Sequence, residues 1–558
     1  MRNLVMIVAI VISLPVLAYS QASNEMIVPD YFDNGSYLNN VIMGDTTASG
    51  ARVNAQRVYV LKRNGVYLSN ALIRNVNWTL TIKGANGTGA KPVIYNYKSG
   101  ATYVNRIIEA NGDVSVKNVA LVGYTEWAVP TEISLVPQRI INMAATGFNI
   151  TIDSCVFSSC TQSCLGVDVA SKNIKVTNTI FTYGGNMWNN NMGNGRAIDL
   201  RDVAVDTLAV QNCTILYCTD RAIRHYSATK TGALKYFLFD HNTVLNCFSE
   251  HGSLSLGNVT GPQIITNNLF VDHYLAGNDS TDAVRLTEFG YTGELGPTGK
   301  FRMTMVGSTP NDSSSWVVKN NFYVITPALQ RWYDSTSAAN GNIGLGNLIP
   351  LTWFISKKIG ADSLTAFTKT SLTFTKAPAT PIQYCWWYWQ PNPIGPGRTK
   401  ANTGFAAANA DFERHPWNYF TDTMKLSYPT TAAAFTGAQK GLPAGDLNWF
   451  PAQKATWLTT AVETPTSRGV PITFSLGQNY PNPFNPSTTI TFTAPKTGHV
   501  TLKVFNTLGQ VVATLVDGEY TAGTHEVRFD ASVLSSGVYF YTLKSNDFSA
   551  TKKMMLVK

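Results

Sequence analysis

Charge is scarce in this chain. Asp, Glu, Lys and Arg make up 14 % of its 558 residues, while Asn, Thr, Gly and Ser are plentiful, a balance that suits an extracellular all-β protein. An apolar period of 3.6 residues is missing, which excludes helical solenoids. Beyond the first twenty residues no apolar run has the length of a transmembrane helix, so none is expected in the mature protein. The formal net charge is +9, yet no block of lysine and arginine gathers it, and nucleic acid is excluded as a partner. Spread over this length the excess is ordinary; the acidic partner it admits is a polysaccharide. A Gly-rich phosphate loop, a nucleophile elbow and a CxxC metal pair are all absent.

What the chain does have is a repeat. Val116-Lys117-Asn118-Val119 introduces it, followed by Ile152-Asp153-Ser154-Cys155, Val176-Thr177-Asn178-Thr179, Val210-Gln211-Asn212-Cys213, Phe239-Asp240-His241-Asn242, Ile265-Thr266-Asn267-Asn268 and Val318-Lys319-Asn320-Asn321. Successive third positions are 36, 24, 34, 29, 26 and 53 residues apart, the range of solenoid coils with a long insertion before the last. Apolar and polar residues alternate within each unit, with Val, Ile, Phe and Thr enriched, so the units are strands. Strand coils that cannot bury an apolar face alone must stack, as in a parallel β-helix. The recurring Asn fits a ladder of amides at a turn, or simply tolerance of turn dihedrals.

The N-terminus reads as a secretory signal over residues 1–20: Arg2, an apolar run from Leu4 to Leu17, then the small-x-small Ala18-Tyr19-Ser20. Seven cysteines in an exported chain would ordinarily mean disulfides. Here Cys155 and Cys213 share one place in the coil, and Cys160, Cys218 and Cys247 share another. Stacked, buried and mostly free thiols are expected, with Cys218 and Cys247 in adjacent coils. Residues 21–57 read as an N-terminal lead-in. Residues 58–458 are the coil domain, recognisable to about Thr326, with an aromatic-rich remainder that includes Trp386-Trp387-Tyr388-Trp389 and is expected to hold an irregular coil or two, loops and a C-terminal cap. Residues 459–473 have no apolar period and read as a linker.

Residues 474–558 form a second domain, in which six alternating segments punctuated by Gly509, Gly518, Gly523 and Gly537 predict a small Ig-like antiparallel sandwich. Asn479-Tyr480-Pro481-Asn482-Pro483-Phe484-Asn485-Pro486-Ser487-Thr488, then Val504-Phe505-Asn506-Thr507-Leu508-Gly509 and Gly537-Val538-Tyr539-Phe540, resemble the C-terminal sorting domain of the type IX secretion system. The resemblance implies handling by that machinery through residues 474–558, passage through the outer membrane, and release or attachment at the cell surface.

Chemistry is expected on one strand per coil. Gly166-Val167-Asp168-Val169, Ala197-Ile198-Asp199-Leu200, Ala222-Ile223-Arg224-His225, Ser253-Leu254-Ser255-Leu256 and Ala283-Val284-Arg285-Leu286 align, with the third place pointing outward. The outward column then reads Asp168, Asp199, Arg224, Ser255, Arg285. Arg201 and Tyr226 flank it, and Arg196 and Arg221 precede their strands. Such a column fits a sugar-acid site, with Arg holding carboxylate and paired Asp oxygens suiting Ca²⁺, or an ordinary salt-bridge ladder. His225 is expected inward as a core histidine.

The coil pattern and its Asn positions resemble the pectate-lyase-like right-handed parallel β-helices, which include uronic-acid polysaccharide lyases. That resemblance implies the fold first. If carried to activity, it implies Arg224 as the base that removes the α-proton, Asp168 and Asp199 as calcium ligands, and Arg285, with Arg201, Tyr226, Arg196 and Arg221, on the substrate. No lysine stands in the column and no complete lyase motif is present. The expected function is therefore polysaccharide binding or an adhesive or structural role outside the cell, with a uronic-acid polysaccharide lyase, with or without a calcium requirement, as the alternative.

Overall fold

The computed structural model describes residues 24–98, 104–123, 136–185, 194–225, 232–248, 252–273, 304–309, 311–337, 349–378, 380–382, 385, 424–462, 475–494, 498–520, 523–545 and 548–557. The signal segment, Tyr226, Arg285 and the Trp386–Trp389 run lie outside them. The chain divides into two compact units, Met1–Ala455 and Thr456–Lys558.

The first unit is a parallel β-helix of three long sheets with 10, 10 and 9 strands. Each coil contributes to them in turn, as in Ile150–Asp153, Val156–Cys160 and Ser163–Val167, followed by Ser171–Thr177 of the next coil. Alternation puts Ile150 and Ile152 inside and Thr151 outside. No coil closes a core alone; Phe157, for example, stacks on Phe181 of the next coil with ring centroids 5.2 Å apart.

The repeated turn is explained residue by residue. All seven third positions, from Asn118 to Asn320, are left-handed, with φ between 51° and 62°. Asn tolerates that region better than other residues with a side chain. The amide ladder exists too, one place further on. Cys213 N donates to Asn242 Oδ1 at 3.0 Å and Asn242 N to Asn268 Oδ1 at 2.8 Å. Asn268 N donates to Asn321 Oδ1 at 3.1 Å. Each side-chain oxygen thus serves the turn of the preceding coil. All seven cysteines are buried and unbridged.

The lead-in is more structured than its sequence suggests. Glu25–Val28 pairs parallel with Val58–Leu61 as the first strand of the first sheet, and helix Leu38–Gly44 buries Leu38 and Ile42. At the other end, Phe367–Lys369 and Ile349–Leu351 close the second and third sheets. The segment from 424 to 455 runs along the Asn corner rather than over the end of the coils. Gly445 N donates to Asn267 O at 2.8 Å, Asn448 Nδ2 to Asn212 O at 2.8 Å and Lys454 Nζ to Asn178 Oδ1 at 2.7 Å. Tight left-handed turns leave backbone groups facing outward, and this strap supplies partners for them. Its final helix, Pro451–Val462, covers the first four positions read as linker.

The second unit is a sandwich. Ser475–Leu476, Ser487–Ala494 and Gly523–Asp530 form one antiparallel sheet, and Val511–Tyr520, Gly498–Phe505, Gly537–Ser545 and Phe548–Leu556 form the other. The Pro-rich opening is pinned rather than loose. Asn479 N donates to Tyr541 Oη at 2.8 Å, Thr488 Oγ1 to Pro481 O at 2.8 Å, and Phe484 is buried.

Candidate functional site on the third sheet

Two adjacent columns run along the outer face of the nine-stranded sheet. One reads Arg74, Glu109, Asn142, Gly166, Asp199, Arg224, Ser255. Three residues earlier, at or just before the start of each strand, the other reads Arg106, Arg139, Ser163, Arg196, Arg221, following the same register. The underlying repeat is Arg106-Ile107-Ile108-Glu109, Arg139-Ile140-Ile141-Asn142, Arg196-Ala197-Ile198-Asp199 and Arg221-Ala222-Ile223-Arg224. Its inner Ile at the third place puts the fourth place outward, and the Arg at the start of the repeat reaches round to that fourth residue, as Arg106 does to Glu109 and Arg196 to Asp199.

Asp168 departs from the expected alignment. Gly166, not Asp168, pairs with Asp199, so Asp168 lies two residues past the column. The physical reason is the period of a strand: a slip of two preserves every inside and outside assignment. Gly166 has its own role. A Cβ there would come within 2.4 Å of Arg139 Cδ and 2.8 Å of Asn142 Oδ1, so its bare backbone lets Arg139 lie across the sheet to bind Asp168.

Asp199 is fully buried, a correction to the exposed column expected. It accepts from Arg196 Nη1 at 3.2 Å and from Arg201 N at 3.2 Å, and Arg224 Nε lies 3.6 Å away. Asp220, also buried, is held by Arg196 Nε at 2.8 Å and by Arg221 Nε at 3.1 Å. Arg221 Nη1 continues to Ser255 Oγ at 2.8 Å. Arg221, Asp220, Arg196, Asp199 and Arg224 thus form one chain of charge. Burial works to raise the Asp199 carboxyl, but Arg196, Arg224, Arg139 and Arg201 overcome it and hold it below its ordinary range. Burial, then the Arg196 charge, brings Arg224 down to about 10.

The structure brings Asp199, Arg224, Arg196, Arg201 and Arg221 together, and adds Arg139 and Asp220, which the sequence reading missed. The Arg-x-Ile repeat was the signal for Arg139. His225 faces inward as expected, its Nε2 lying 3.0 Å from Val203 O. Asp168 and Asp199, expected as calcium ligands, are each paired with a guanidinium, Asp168 with Arg139 and Asp199 with Arg196, whereas Ca²⁺ takes six to eight oxygens. Among the described residues no group of three or more His, Cys, Asp or Glu side chains could hold a metal.

Solvent reaches this face most freely at its Arg74 end and again beside Arg201 and Arg224, while Ser255 beyond them is buried. Arg74 and Arg106, both paired with Glu109, keep 51 % and 32 % of their side chains accessible. Arg201 is exposed and Arg224 keeps 18 %. From Arg74 to Arg224 are five strand steps, about 24 Å.

Residues 478–558 match the family model of the secretion system C-terminal sorting domain. No curated protein and no solved structure matches the chain. Among the described residues no helix is long and apolar enough to cross a membrane. The matched segment coincides with the sandwich, so the chain is a parallel β-helix that ends in a type IX secretion sorting domain, a protein exported across the outer membrane and secreted or held at the cell surface.

Proposed function

We propose that the β-helix binds an acidic polysaccharide along the outer face of its third sheet. The observation that carries this reading is the balance of charge. Arg74, Arg106, Arg139, Arg196, Arg221 and Arg224 stand against Glu109, Asp168, Asp199 and Asp220. The buried carboxylates hold the inner guanidiniums rigid, and the accessible ones, Arg74, Arg106, Arg201 and in part Arg224, suit carboxylate or sulfate groups on an extended polymer.

A uronic-acid lyase with Arg224 as base is the second reading, supported by the fall of that guanidinium to about 10. A group titrating there still carries its charge at neutral pH, and Asp199 favours the charged form. Arg224 is therefore better suited to holding an anion than to removing a proton. Electrophoresis of the full chain through native gels containing acidic or neutral polysaccharides tests the binding reading; selective retardation by acidic polymers is expected. Equal mobility in every gel would reject it. An ultraviolet rise from unsaturated products, with or without added Ca²⁺, would establish elimination instead.

A further inference from the structure

Exposed large apolar side chains stand on the C-terminal unit. Among the described residues, Leu508, Val511, Val533, Phe540, Met555 and Val557 are of this kind. Three of these, Val511, Phe540 and Met555, fall on one face. Strand Gly537–Ser545 buries Tyr539, Tyr541 and Leu543 and turns Val538 and Phe540 outward. Phe540 lies opposite Phe505 on one side and Lys553 on the other. Phe505 in turn lies opposite Val511, and Val538 opposite Met555. Val511, Phe505, Phe540, Val538 and Met555 therefore form an apolar strip across all four strands, at one end of the sheet.

We propose that this strip is the docking surface through which the sorting domain is held by a protein component of the export machinery, and that the partner presents an apolar patch with an acidic rim. The partner class follows from the family matched by residues 478–558. The rim follows from charge. Lys553 sits within the strip, and Lys503, opposite Thr542, sits one row below. The carboxylates of this face, Asp517 and Glu519, lie at the far end, opposite Thr501 and His499. The sandwich fills its own core without the strip, since Ile490, Phe492, Val500, Leu502, Val504 and Tyr541 are fully buried. Substitutions on the strip therefore leave that core untouched. An apolar patch flanked by like charges is the pattern of a protein interface.

The test uses the full chain in a cell that carries type IX machinery, with export measured as the ratio of extracellular and surface protein to retained protein. Val511→Thr, Phe540→Thr and Met555→Thr combined should lower that ratio about tenfold or more. Lys553→Glu, which keeps the apolar surface, should lower it as well. Val533→Thr, 90 % exposed and off the strip, should leave it unchanged. Protease resistance of the retained triple variant separates a lost contact from a lost fold. Wild-type export of the folded triple variant would overturn the proposal. So would a concentration-dependent dimer of the wild-type chain that the triple variant abolishes without loss of export, since the strip would then bind a second copy.

Discussion

At the scale of single residues, the charged chain on the third sheet makes sharp demands. Asp220 is fully buried between Arg196 and Arg221. Asp220→Ala would leave two guanidiniums with a lost counterion in low dielectric, and should destabilise the β-helix by about 3–5 kcal/mol, measured by urea unfolding followed through the coil domain. Gly166→Ala should cost roughly 1–3 kcal/mol in the same assay, because the added methyl meets Arg139 and Asn142. These two residues mark the limit of what strand period alone reveals. Alternation told inside from outside along each strand, and so gathered Asp199, Arg224 and their neighbours. It could not distinguish a register from one slipped by two, and Asp168 was placed in the column where Gly166 belongs. Asp220 was hidden for another reason: it lies at a corner, where strand period no longer applies.

At the scale of the element, the corner between the first and second sheets explains why the coil repeat was visible at all. A left-handed residue is needed once per coil, and Asn or a close substitute meets the need in all seven units. At Asn118, φ is 56°; Asn118→Val should cost about 1–2 kcal/mol and Asn118→Gly close to nothing. Asn268 does different work. It receives N–H donations from the turn at Asn242 and passes its own amide to Phe239 O and Asn321. Asn268→Ala leaves buried groups unsatisfied and should cost about 1–3 kcal/mol by the same unfolding measurement. The sequence pattern merged two columns with separate duties because both favour Asn. The strap from 424 to 455 left no such trace, since its contacts with the corner are single polar groups without period.

At the scale of the whole molecule, that strap gives the first unit a dependence on pH. Asp446 is buried against the second sheet, where Thr214 Oγ1 donates to it at 2.7 Å. Burial pushes its carboxyl up to about 6, against the hydrogen bonds from Thr214 and Asn448, from an ordinary value of 3.8. The folded state therefore holds this proton more tightly than the unfolded state. The contribution is fully present below about pH 4 and is lost as pH rises through about 6, a change of about 3 kcal/mol. Asp446→Asn should remove this slope when melting is compared between about pH 4 and pH 7. At this scale the fold was largely legible: strand coils, a sandwich and the sorting motif each carry a local pattern. What the β-helix holds carries none, because recognition depends on charges brought together from separate coils.

The acidic-polysaccharide face is the central claim, and calorimetric titration of the full chain with an acidic polysaccharide that retards it, before and after the combined change Arg201→Ala and Arg224→Ala, tests it most directly. Both side chains reach solvent, and losing charged hydrogen bonds to the ligand should weaken Kd about tenfold to a hundredfold. Wild-type affinity should also fall as salt is raised. An unchanged Kd in the folded double variant, or equal binding of a neutral polysaccharide, would contradict the account.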